Sequence, residues 1–141
     1  MLKTQLLHPA ILQALAAAGH GSTVLIADGN YPAGTCLGPR ARLVHLNLSP
    51  GIVGCVDVLS AVASAIPIES ARVMQTADAR SPPIWAEFQR ELTSAGFTGS
   101  LEPIERFAFY AAASTPDHAL TIQTAEQRTY ANLLLTIGVR S

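Results

Sequence analysis

A single three-layer α/β/α domain with a mostly parallel sheet is the fold that this 141-residue sequence predicts. Two observations lead there. Short apolar runs, of the kind that form strands buried on both faces, alternate along the chain with longer segments of helical periodicity. Gly, Pro and Asn clusters mark the change from one to the next. No internal repeat, low-complexity tract or linker divides residues 1–141 further, and the alternation itself points to helices on both faces of one sheet.

Each element has its own signals. Pro9 suits the first position of a helix. Ile11, Leu12, Leu15 and Ala18 then fall on one face, and Gly19 is placed to end the helix in a left-handed conformation. Thr23–Ala27 (TVLIA) is a continuous apolar run and reads as a fully buried strand. Asp28-Gly29-Asn30-Tyr31-Pro32 is a loop by composition. A second strand is expected over Arg42–Leu48. Pro50-Gly51 then opens a helix over 52–65 with Val53, Val56, Leu59 and Ala63 on one stripe. A third strand falls around Ala71–Gln75. Pro82-Pro83 starts a helix that buries Trp85, Phe88 and Leu92, turns Glu87, Arg90 and Glu91 outward, and ends at Ala95-Gly96. A short strand in Ser100–Glu105 precedes a small helix from Arg106 to about Ala113. Ala119–Thr124 and Asn132–Val139 are the closing strands, with a polar turn at 125–129 between them.

Composition narrows the functional classes. Apolar residues make up 49% of the chain and charged residues only 13%. So little surface charge fits a homo-oligomer that hides part of its surface, or else a tightly packed monomer. The net charge of −1, with no basic block, argues against nucleic-acid binding through phosphate neutralisation. Cys36 and Cys55 form no CxxC pair and read as reduced thiols of a cytoplasmic protein. Residues 51–68 approach the length of a membrane span, but Asp57, Ser60, Ser64 and Pro67 interrupt them. Residues 9–19 resemble a weak signal peptide, and the His8-Pro9 break and Gln13 argue against one. The chain is read as soluble, cytoplasmic and free of membrane contact.

Ligands of open α/β sheets sit outside the carboxyl ends of the strands. Asp28 lies just past such an end, whereas His20 precedes the same strand. Residues 23–27 therefore hold the two apart by roughly 13–17 Å at ~3.3 Å per residue. Either the loops fold back to join them, or they meet across a subunit boundary, or they are unrelated. Each has an ordinary structural role available. His20 is placed to favour the dipole at a helix C-terminus and Asp28 to form a turn ahead of Gly29. Arg106 is an unremarkable surface charge, and Tyr130 a core aromatic with its hydroxyl at the rim. His8, His45 and His118 are scattered and form no metal-binding constellation with the acids. No nucleophile elbow, phosphate-cradling loop or dinucleotide fingerprint is present.

Four stretches taken together carry more than any alone: HPAILQALAAAGHG (8–21), ADGNYP (27–32), RFAFY (106–110) and YANLLLTIGV (130–139). In order and spacing they resemble the sugar mutarotase family that contains ribose pyranase and L-fucose mutarotase, over essentially the whole chain. Arg106 followed by Phe-Ala-Phe-Tyr is similar to the fucose branch, where the ribose branch typically carries His. The resemblance implies His20 as proton donor, and Asp28, Arg106, Tyr130, Ala131 and Asn132 as sugar-binding positions. It also implies a ring-shaped homo-oligomer, typically a decamer, with sites between subunits. The sequence departs from the pattern at Gly34, where the fucose branch carries a histidine, and at Tyr31, which adds a hydroxyl to the pocket wall.

The implied reaction interconverts the α and β anomers of a free monosaccharide, L-fucose or a related sugar. One group protonates the ring oxygen, another removes the anomeric hydroxyl proton, and the ring opens, turns and recloses. Histidine suits the first role because its ordinary pKa near 6.5 lets it give and take protons at neutral pH. Asp28 would accept sugar hydroxyls or orient the imidazole, and Arg106 would donate to hydroxyls in a fork. The base is Tyr130, Asp28 or a bound water. No metal, nicotinamide or other cofactor is called for. The alternatives are a ribose-type pyranase, a non-catalytic monosaccharide-binding protein and a purely structural oligomer-forming domain.

Overall fold

The computed structural model describes residues 1–141. Its elements run α1 (Pro9–Ala17), β1 (Thr23–Ala27), β2 (Arg42–His45), α2 (Cys55–Ala63), β3 (Ile68–Met74), α3 (Pro83–Ser94), β4 (Glu102–Ile104), α4 (Arg106–Ala112), β5 (His118–Gln123) and β6 (Leu133–Ile137). The six strands form one sheet in the order β2-β5-β1-β6-β3-β4. β2, β5 and β1 are parallel, as are β3 and β4, while β6 runs antiparallel to both β1 and β3. Five strands therefore point one way and β6 alone is reversed. The sheet is mostly parallel, as the alternation of elements predicts.

The layers are unequal. Alternate strand residues (Val24, Ile26, Val44, Val73, Leu120, Ile122, Leu133, Leu135) join Ile11 and Leu15 of α1, Val58, Leu59 and Val62 of α2, and Trp85, Phe88 and Leu92 of α3 in a core of 25 buried residues. The opposite face holds only 8, with Leu25, Ala27, Met74 and Leu134 beneath Phe109 and Ala113 of α4 and Tyr31 and Ala33 of the loop after β1. Every residue of β1 is buried, because it lies mid-sheet with both faces covered.

Local chemistry moves several boundaries from where periodicity puts them. α1 is capped by His8, whose Nδ1 accepts the Ile11 N–H at 3.4 Å. It ends in an extended Ala18, not in a left-handed Gly19; the positive φ belongs to Gly21, at 83°. α2 starts at Cys55 because Leu48–Ile52 first close a tight turn, in which Leu48 N–H donates to the Ile52 carbonyl at 2.9 Å. Its buried stripe is Cys55, Val58, Leu59, Val62 and Ala63, and Val53 precedes the helix. The polar positions Asp57, Ser60 and Ser64 share the outer side of the helix, and the buried stripe lies opposite them, rotated away from the expected Val53, Val56, Leu59 and Ala63. β3 begins three residues early, at Ile68 against β6, and β2 stops at His45, where the chain heads into the 48–52 turn.

The reversed strand sets up the site. β5 and β6 follow each other in sequence but lie on opposite sides of β1. Residues 124–132 must therefore cross the carboxyl end of β1, where Asp28 emerges. No helix of the chain is long and apolar enough to cross a membrane.

Candidate functional site

Asp28 is held where the 124–132 connection passes over it. It is 3% exposed. Its Oδ2 accepts Asn132 Nδ2–H at 2.9 Å and Ala131 N–H at 3.3 Å, and its Oδ1 accepts Asn30 N–H at 2.9 Å. In return Asp28 N–H donates to Asn132 Oδ1 at 2.9 Å, and Gln123 Nε2–H donates to the Asp28 carbonyl. Burial pushes the Asp28 carboxyl above its ordinary range, and these donors pull it back part of the way. With three donors in place, about one of its roughly four lone-pair positions is left for a ligand.

The crossing connection is itself clamped. Gly29 N–H donates to the Glu126 carbonyl at 2.9 Å, and a side chain at 29 would put Cβ 3.1 Å from that oxygen. The approach is close enough that a side chain at 29 would push this backbone back by a few tenths of an ångström. The Glu126 carboxylate accepts Arg128 Nε–H and N–H at 3.0 and 3.1 Å and a second guanidinium nitrogen at 2.9 Å. It also accepts Cys55 N–H at the start of α2, at 3.4 Å. Arg128 reaches on to Glu87 of α3 at 2.7 Å. Arg128 holds the Glu126 carboxyl below its ordinary range. Tyr130 sits at φ 58°, a conformation that costs a non-glycine residue of order 1–3 kcal/mol, and its carbonyl accepts Trp85 Nε1–H at 3.2 Å.

The result is a pocket of about 220 Å³ lined by Asp28, Asn30, Tyr31, Met74, Arg106, Tyr110, Thr129, Tyr130 and Asn132. It lies at the carboxyl ends of the parallel strands, where such sheets bind ligands. Its volume falls below the ~300–1,000 Å³ of sites for drug-sized molecules and suits one small ring. Arg106 opens α4 beneath the Glu105 cap. Its guanidinium is exposed, donates from Nε to the Tyr110 hydroxyl at 3.2 Å, and lies 5.6 Å from the centre of that ring. Tyr31 is 5% exposed, and its hydroxyl is enclosed without a hydrogen-bond partner, a state that costs about 1–3 kcal/mol. Burial, with Cys36 and Tyr110 nearby, pushes its pKa further up.

Asp28, Arg106, Tyr130 and Asn132 thus converge on one pocket, with Ala131 fully buried behind Asp28 and donating its N–H. His20 does not join them. It lies beyond the opposite end of β1, with its side chain 59% exposed and Nε2 donating to Glu69 Oε2 at 2.7 Å. Gly34 is exposed, is not part of the pocket wall, and a Cβ there meets nothing within 4 Å. A larger groove of about 680 Å³ shares Thr129 and Tyr130 with the pocket. Its arginines are already paired, Arg80 with Asp78 and Arg128 with Glu126 and Glu87. Cys55 is no nucleophile, since burial holds its thiol up at about 12.

Residue patterns did not single out Glu69, Gln123, Glu126 or Arg128. Glu126 and Arg128 read as a polar turn, and Glu69 meets His20 only through the pairing of β3 with β6. An acid and a base two apart in the 125–129 turn were the one visible signal.

Comparison with known proteins agrees over the whole length. The family described as "RbsD / FucU transport protein family" matches residues 1–140. The fucose mutarotase of Homo sapiens is 34% identical, over 95% of this chain and 90% of its own. The D-ribose pyranase of Variovorax paradoxus (strain S110) is 36% identical, over 99% of this chain and 98% of its own. Among solved structures, FucU from Bifidobacterium longum superposes with a TM-score of 0.82 at 28% identity, covering 98% of this chain and 100% of that one.

Proposed function

The chain belongs to the RbsD / FucU transport protein family, and from that premise we propose that it is a cofactor-independent monosaccharide mutarotase, interconverting the α and β anomers of L-fucose or a closely related free sugar. The carrying observation is the convergence of Asp28, Arg106, Tyr130 and Asn132 on one ring-sized pocket. Relatives named for fucose and for ribose, both small free sugars, support the substrate class.

In this reading the sugar's hydroxyls are sorted by the chemistry of the wall. The Asp28 carboxylate accepts, the Arg106 guanidinium donates in a fork, and the Tyr130 hydroxyl and Asn132 amide serve the remainder. The acid that protonates the ring oxygen is His20. It reaches such a pocket only from a second copy of the chain, since within one chain β1 separates it from Asp28. Glu69 would fix the imidazole so that its other nitrogen faces the sugar. The base is Tyr130, Asp28 or a solvent water. An acid–base pair contributes typically 10²–10⁴-fold, enough for a reaction that already proceeds unaided.

Saturation-transfer NMR across L-fucose, D-ribose and D-galactose is the test. Exchange faster than in buffer, fastest with fucose, is the expected result; no acceleration with any of them ends the enzymatic reading. A ribose-type pyranase is the second reading, favoured by the 36% identity to a D-ribose pyranase. Interconversion of ribose ring forms, without acceleration of fucose, would select it.

A further inference from the structure

We propose that Tyr31 is the specificity-determining residue of this pocket, its phenol O–H donating to one ring hydroxyl of the bound sugar. The inference rests on the reading of the pocket as a monosaccharide site and adds which group selects among sugars. Tyr31 shares the pocket wall with Asn30 and Tyr110, yet its hydroxyl is shut in and meets neither donor nor acceptor. Buried polar groups are satisfied in the great majority of cases, so an unmet one at a site calls for a ligand that meets it.

The neighbours show how that happens. The Tyr31 ring lies edge-on to Phe109 and Tyr110, with centroids 6.3 and 5.6 Å away. Phe109 is fully buried, whereas Tyr110 is only partly buried, edge-on to the exposed Phe107 at 6.3 Å, and its hydroxyl has one partner, Arg106 Nε–H at 3.2 Å. Arg106 is exposed there, so that contact is weak and readily exchanged. A sugar seated beside Asp28 competes for the same guanidinium. Drawing Arg106 onto the sugar frees Tyr110, and a shift of that ring uncovers the hydroxyl beneath. The donor is then paired by a sugar hydroxyl. A sugar lacking the hydroxyl at that position leaves the donor buried and unpaired, which is the physical origin of strong discrimination between substrates differing by one polar group.

Titration calorimetry on wild type, Tyr31→Phe and Tyr110→Phe tests this. The ligands are L-fucose, D-ribose, D-galactose and the monodeoxy analogues of whichever binds tightest. Tyr31→Phe removes an unmet polar atom and should melt no lower than wild type. It should bind the preferred sugar about tenfold more weakly. It should also lose wild type's discrimination against one monodeoxy analogue, while Tyr110→Phe keeps it. Equal discrimination in wild type and Tyr31→Phe at every ring position overturns the proposal. NMR exchange on the same samples separates the two readings. Binding with Tyr31-dependent discrimination but no exchange acceleration upholds the role of Tyr31 and removes the mutarotase reading. Acceleration with unchanged discrimination does the reverse, and a wild type that binds none of these sugars removes both.

Discussion

At Asp28 a single side chain holds the fold and, in the proposed function, would hold the ligand as well. Both carboxylate oxygens face N–H donors, Asn30 on one side and Ala131 and Asn132 on the other. Asp28→Asn must therefore turn its NH₂ toward a donor whichever way the amide is flipped. We expect a loss of about 1–3 kcal/mol, read as a lower Tm, together with weaker sugar binding by calorimetry. His118 is a second residue whose environment dictates a measurable outcome. It is fully buried between the hydroxyls of Thr23 and Thr121, at 2.8 and 2.7 Å, and burial lowers its pKa to about 4. The folded form therefore stays neutral at pH values where the unfolded chain, at about 6.5, takes up a proton. Stability is fully present above about pH 6.5 and falls as the pH drops toward 4, by ~3 kcal/mol in all. Denaturant titrations across that window should show a smaller decline in His118→Gln than in wild type. The residues of the site were only partly legible. Asp28 follows a buried run and could be placed by rule, but its partners Ala131 and Asn132 lie more than a hundred positions away and no local pattern links them.

Among the elements, the connection from β5 to β6 determines the most. Because β6 inserts antiparallel between β1 and β3, residues 124–132 pass over the end of β1, and the Glu126–Arg128–Glu87 chain of charges pins them to α2 and α3. Glu126→Gln keeps an acceptor for Cys55 N–H but loses the charge facing Arg128. We expect it to lower stability by about 1–2 kcal/mol and to raise KM more than it lowers kcat, because the pocket wall loosens while the reacting groups remain. Gly29→Ala should act in the same direction, since its Cβ would press on the Glu126 carbonyl from 3.1 Å. Element types were readable because β1 is continuously apolar and α3 is strongly amphipathic. The direction of β6 was not, since an apolar five-residue run looks the same in either orientation. The face of α2 was legible in Asp57, Ser60 and Ser64, which share its outer side opposite the buried stripe.

At the scale of the whole molecule, the separation of His20 from the pocket is the fact to be explained. If one copy supplies Asp28 and Arg106 and another supplies His20, two inactive variants should complement each other. His20→Ala and Arg106→Ala, both at exposed positions, should fold and lose exchange activity separately. After subunits are mixed one to one, about a quarter of interfaces would carry both intact halves, and NMR exchange should recover to roughly that fraction. Recovery of nothing, with mixing verified by mass spectrometry, would rule out a shared site.

The unequal layers carry one more consequence, visible to deuterium. Beneath α1, α2 and α3 the sheet is anchored by 25 buried residues, while α4 and the loop after β1 rest on 8. Amides of α4 and the loop after β1 should therefore exchange through small, frequent openings, long before those of Leu25, Ile26 and Leu134 yield by global unfolding. The wall that carries Arg106, Tyr110 and Tyr31 belongs to the less protected layer. Sugar binding should slow exchange there first, a footprint on the thin side of the sheet that the thick side does not share.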